Sequence, residues 1–119
     1  HGGLKMYSPQ IKTGAVTATG AAINVPCGFV PSYVKVVNIA AAATVSLEWW
    51  NTMADAKGLK ETGVVDSGTT GFKSSEYLAS LGITPYAGSA TVSAGFTIGA
   101  DTTLNVNTNG LVWIAIGGA

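Results

Sequence analysis

The stretch GFTIGADTTLNVNTNG, residues 95–110, gathers glycines, Asp101 and several Thr and Asn oxygens, the residue types that cradle phosphates or ligate cations. A phosphate loop also needs a lysine to reach the phosphates and a helix starting just after the glycines. This stretch has no lysine, and β-branched residues follow its glycines. Calcium takes carboxylate and carbonyl oxygens, which Asp66, Ser67, Asp101, Thr102, Asn105, Asn107 and Asn109 offer, but without the charge density and regular spacing of a calcium loop. Zinc and nucleophilic catalysis fare worse: the histidine is His1, the cysteine is Cys27, and no GxSxG elbow occurs. Cys27, within INVPCGFV, reads as a small buried hydrophobe.

Carboxylates are the remaining route to acid–base chemistry, which needs two of them in contrasting environments. Asp55, Glu61, Asp66 and Glu76 share their stretch with lysines and read as solvated loop charges in weak ion pairs. Glu48, in SLEWW, reads as an outward charge on the wet face of a strand, with an acid pocketed against Trp50 as the more interesting alternative. No catalytic, cofactor-binding or metal-binding residue is assigned, no cofactor is expected, and the chain is expected not to be an enzyme.

The aromatic residues point to binding instead. Neighbouring side chains on a strand face opposite ways, so Trp49 belongs in the core and Trp50 outside. An outward indole seeks a cover: a loop of its own chain, a neighbouring subunit, or the apolar face of a sugar. Trp50, Tyr77, Tyr86 and, in the N-terminal arm, Tyr7 are the candidate partner contacts.

These residues sit in an apolar, neutral chain. Of 119 residues 47% are hydrophobic and only 10% charged, against about 25% in a typical domain. Six lysines balance six acids, there is no arginine, and the lysines are dispersed, which argues against nucleic acid as a partner. No apolar run approaches the roughly 18 residues of a membrane span. The surplus apolar surface therefore suits self-association or docking on a larger partner. The opening HGGLK reads as a tag remnant, so residues 1–5 are set aside and residues 6–119 taken as one domain.

The elements that must carry these side chains read as strands. TVSLEWW alternates, with Val45, Leu47 and Trp49 on one face; YVKVVNI alternates less cleanly, and TVSAGFTI places Val92, Ala94, Phe96 and Ile98 together; LVWIAI is apolar on both faces, as befits a central or partner-covered strand. Asn109-Gly110 predicts a tight type I′ turn joining TTLNVN to LVWIAI as a hairpin. Residues 52–82 read as a long loop excursion, with short helical turns at TMADAK and SSEYLASL. The expected fold is all-β: a single-domain antiparallel β-sandwich, jelly-roll-like, with a long central excursion.

Four phrases in order, IKTGAVTATGAAINVPCGFVPSYVKVVNI, LEWWNTM, GITPYAG and GFTIGADTTLNVNTNGLVWIAIG, span nearly the whole chain. In this pattern the chain resembles the small virion structural proteins of tailed bacteriophages, with Gly28, Phe29, Pro31 and Val34, and GFTIG before an asparagine-rich turn, as its most recognisable pieces. The resemblance implies a homo-oligomeric capsid decoration or cement protein that binds the major capsid protein or other virion proteins. Its place would be the virion, after assembly in the bacterial host cytoplasm, and no catalytic residues come with it. Tail and fibre modules share the GFTIG phrase, which gives the alternative of a carbohydrate- or receptor-binding module of a tail or head fibre.

Overall fold

The computed structural model describes residues 10–40, 44–63 and 73–117, and these form an all-β unit of eight strands. They are β1 (Gln10–Thr17), β2 (Ile23–Pro26), β3 (Tyr33–Asn38), β4 (Val45–Trp50), β5 (Lys57–Thr62), β6 (Ser74–Tyr86), β7 (Gly95–Ile98) and β8 (Gly110–Gly117). Every pairing is antiparallel, in the order β1-β8-β3-β4-β5-β6-β7-β2. The strands make one continuous sheet, curled until it is nearly a closed barrel, where the sequence reading expects two stacked sheets. Strands β3 to β7 follow one another as a meander, and β8 is inserted between β1 and β3.

Alternation decides what lies inside. Register pairs Val34 with Trp49 and Val36 with Leu47, while β8 sets Trp113 opposite Val36 and Ala115 opposite Val34. These side chains are all buried, and Phe96 and Ile98 of β7 and Ile83 of β6 meet them from the far wall. The Phe96 and Trp113 rings pack edge to face, centroids 5.4 Å apart, the arrangement favoured by the ring quadrupole. Trp49 is 2% exposed and Trp50 39%, so the expected division of the two indoles holds. Cys27 is buried and free, its thiol donating to the Phe29 carbonyl.

The curl depends on β6. Its first half pairs with β5 and its second half with β7, and the ladder jumps between Lys57↔Ile83 and Gly58↔Leu78. The residues in between bulge, with Leu81 in the left-handed region at φ 66°; bulges of this kind bend and twist a sheet. Gly82 sits so close to β5 that a β-carbon there would lie 2.0 Å from the Lys57 carbonyl oxygen.

Three expectations are corrected. The described parts of residues 52–82, namely 52–63 and 73–82, are not a loop excursion: they hold β5 and most of β6, and backbone pairing there outweighs the polar composition. Nor do the helical turns form. SSEYLASL is strand, and Asn51 to Ala56 make turns closed by Met53 N–H to Trp50 and Lys57 N–H to Ala54. The C-terminal hairpin is also absent, because β8 pairs with β1 and β3, and the positive φ falls at Thr108 rather than at Asn109 or Gly110.

The link from Gly99 to Asn109 is a packed loop instead, with Leu104 and Asn105 buried. The Asn105 carbonyl oxygen accepts from the Thr19 and Gly20 amides, and its amide group donates to the Ala21 and Gly99 carbonyls. One side chain thus satisfies the backbone of the β1–β2 connection and ties it to the end of β7. Asn38, fully buried on β3, donates to the Leu104 carbonyl and fixes the same loop from another side.

Candidate functional site

Register turns the outer face of the sheet into a map. One cross-strand row runs Ile11, Ile116, Tyr33, Trp50. The next runs Thr13, Ile114, Lys35, Glu48, Leu59, Tyr77, and a third runs Ala15, Val112, Val37, Ser46, Glu61, Ser75. The apolar outer residues of β8 therefore lie between the outer residues of β1 and β3, with those of β4 next along, and no described segment pairs over them. Ile11 is 63% exposed, Tyr77 55% and Trp50 39%, while Val37, Val112, Ile114 and Ile116 are half-buried among their neighbours. A shallow depression of about 580 Å³ opens at β1, β8 and β3, lined by Thr13, Ala15, Lys35, Val37, Val112 and Ile114 together with Gly14 and Trp113.

Polar groups on this face are few and placed. The Tyr33 hydroxyl donates to Glu48 across the β3–β4 ladder. Burial, then the hydrogen bond to Glu48 and that carboxylate's negative charge, push the Tyr33 pKa up to about 12. Glu48 is half-buried beside Trp50 but turned to Tyr33, so its carboxylate anchors a phenol within an aromatic surface. Lys35 pairs with Glu48 in register yet makes no salt bridge among the described residues.

Trp50 and Tyr77 are brought to one face, in adjacent rows. Tyr86 is not: it lies beyond the β6 bulge, half-buried opposite Gly95. Tyr7 lies outside the described residues, as do Asp66 and Ser67. Tyr33, one of the aromatics that a sugar platform could use, shares the row of Trp50 with Ile116 and Ile11, a nearness that comes from register between distant strands. The sequence signal for Ile116 is the two-faced apolar pattern of LVWIAI.

Of the oxygens considered above for a cation, those of Asp101 and Asn105 have other partners. Asp101 is buried, and its carboxylate accepts from Lys60 Nζ at 2.8 and 3.0 Å and from the Thr103 and Leu104 amides at 3.1 and 3.0 Å. Burial works to raise its pKa, but the Lys60 hydrogen bond, the Leu104 and Thr103 amides and the lysine charge outweigh it and hold the carboxyl below its usual range. Lys60 reaches Asp101 from the inner face of β5, so the pair clamps the β7–β8 link to the opposite wall. Asn105 is occupied by backbone, and among the described residues no three His, Cys, Asp or Glu side chains are grouped to hold a metal. No family model, no curated protein and no solved structure matches this chain.

Proposed function

We propose that this chain is a non-enzymatic structural protein of a tailed-bacteriophage particle, which decorates or cements the capsid by binding the major capsid protein or other virion proteins as a homo-oligomer. The observation that carries the reading is the outer face: three rows on one side of a curved sheet, apolar and aromatic at Ile11, Ile116, Tyr33, Trp50, Ile114, Val112 and Val37, with little charge. Large partly exposed apolar patches serve docking, and aromatic anchors supply much of the energy at protein interfaces. On this reading the curled sheet plays the part of the jelly-roll-like sandwich expected from the sequence. Several modest contacts on an oligomer add through effective concentration, which suits a protein that reinforces seams between capsomers. The test is to add purified protein to shells of the parent phage that lack it. Binding saturates at a fixed stoichiometry and weakens for Trp50→Ala; absence of any binding refutes the proposal.

A second reading is favoured by the Tyr33–Glu48 hydrogen bond beside Trp50. An indole flanked by a fixed carboxylate is also how a sugar ring is held, by stacking and hydrogen bonding, and this supports the alternative of a carbohydrate- or receptor-binding module of a tail or head fibre. A glycan array probed with wild type and Trp50→Ala decides it: a signal lost in the variant supports this module, and a blank array for both removes it.

A further inference from the structure

We propose that β1 is a self-association edge, on which a second copy of this chain adds its own β1 antiparallel about a two-fold axis through Thr13. The proposal deepens the assembly reading above and rests on it for its purpose, but its test involves no capsid, so either can fail alone.

The backbone supplies the first argument. Ser32 and Ile39 amides, at the two ends of β3, donate to the Ile116 and Gly110 carbonyls. In an antiparallel ladder alternate residues bond to alternate sides, so the even-numbered residues of β8 face β3 and the odd-numbered ones face β1. Leu111, Trp113 and Ala115 therefore bond Val16, Gly14 and Lys12, their register partners. Ile11, Thr13, Ala15 and Thr17 direct their amides and carbonyls the other way. Strand β1 ends the sheet order, and among the described residues nothing pairs with that side. The edge has eight residues and carries neither proline nor bulge, two of the devices that blunt an edge, and a single charge, Lys12.

Side-chain size supplies the second argument and selects the occupant. The strand reads QIK-T-GAV about Thr13, three large residues before and three smaller ones after. A two-fold at Thr13 sets Ile11 against Ala15 of the second copy, Lys12 against Gly14 and Gln10 against Val16, large against small throughout. A two-fold one residue earlier would put Lys12 opposite Lys12, and like charges directly opposite are destabilising. With the axis at Thr13, Ile11, Thr13 and Ala15 each exchange backbone hydrogen bonds with the second copy. Ile11, 63% exposed in the single chain, comes to lie beside Ala15 at the lip of the depression on β1 and β8, filling apolar space that its own chain leaves open.

Two variants test this. Hydrogen-bonded antiparallel partners have Cα atoms about 5.5 Å apart, within the range of about 4.4–6.8 Å that a disulfide spans. Thr13→Cys, on the axis, is expected to form a disulfide-linked dimer under mild oxidation about tenfold faster than Thr17→Cys, an exposed position on the same strand away from the axis. Equal rates, or no cross-linking of Thr13→Cys, overturn the proposal. Thr13→Pro removes an amide that points to the open edge and leaves the β8 ladder intact. In sedimentation it is expected to remain monomeric with a native near-ultraviolet spectrum, at concentrations where wild type dimerises. A wild type that stays monomeric up to about 1 mM refutes the edge contact, and capsid binding by such a monomer would keep the capsid-binding part of the functional reading while removing its homo-oligomer. If Thr13→Pro does not fold, the cysteine pair alone decides.

Discussion

Replacing Asp101 by Asn should be among the most damaging conservative changes in this chain. The substitution keeps the shape of the side chain and an oxygen for the Thr103 and Leu104 amides. What it removes is the charge facing Lys60, whose side chain is only 12% exposed. A buried ion pair broken on one side leaves an uncompensated charge, at a cost of about 3–5 kcal/mol. Lys60→Met removes the other charge and leaves Asp101 with its amide donors, so it should cost less, about 2–3 kcal/mol. The double variant, with no charge left inside, should be more stable than Asp101→Asn alone, with a coupling of at least about 1 kcal/mol. Urea unfolding followed by tryptophan fluorescence measures all four proteins, since Trp49 and Trp113 are buried in the native state. The pH dependence has a definite sign. A carboxyl whose folded pKa lies below its unfolded value stabilises the fold above that unfolded value, about 3.9, and the contribution disappears as pH falls through the folded pKa. The difference between wild type and Asp101→Asn should therefore be full at pH 6 and shrink below about pH 4. A cost under about 1 kcal/mol at pH 6, or additive single variants, would refute the clamp.

Asn105→Ala strands two amides and two carbonyls at the β1–β2 crossing, and should cost about 2–4 kcal/mol in the same assay; a near-neutral result would show that water replaces the side chain. Gly82→Ala forces a methyl against the Lys57 carbonyl, so it should lower the thermal midpoint sharply, whereas Ser75→Ala on the exposed half of the same strand should not. In an alkaline titration at 295 nm one tyrosine should ionise at about 12, and Glu48→Gln should bring it down towards 10. Because the folded pKa is raised, the stabilisation linked to Tyr33 is complete below pH 10 and is lost as pH climbs towards 12; four tyrosines titrating together near 10 would contradict the Tyr33–Glu48 contact.

The strand character of this chain is written locally. Val45, Leu47 and Trp49 alternate with Ser46, Glu48 and Trp50, and a period of two allows only one division between core and surface. That is why the separation of the two indoles could be read from six residues. The course of residues 52–82 could not, because Lys57 to Thr62 and Ser74 to Leu78 are polar and become strands only by bonding to β4 and to each other. Asn109-Gly110 misled for the opposite reason: a strong local turn preference lost to long-range pairing of β8 with β1 and β3. The exposed row was half legible. Trp50 follows from alternation, but Tyr33 and Ile116 join it only through register, and the Lys60–Asp101 clamp joins positions 41 residues apart.

The insertion of β8 between β1 and β3 has a consequence for how the chain reaches its fold. Gln10 pairs with Gly117, so the first and last strands must meet across nearly the entire sequence. The β3-to-β7 meander closes through short connections and can assemble early. The β8 contacts carry the loop-closure entropy of about a hundred residues and come late. Until then Val34 and Val36 lack Trp113 and Ala115 above them, and β1 has nothing to pair with. A chain emerging from the ribosome thus holds a partly formed sheet with two open edges until its eighth strand arrives, and a truncation that removes β8 should leave β1 unstructured while sparing the meander from rapid hydrogen exchange.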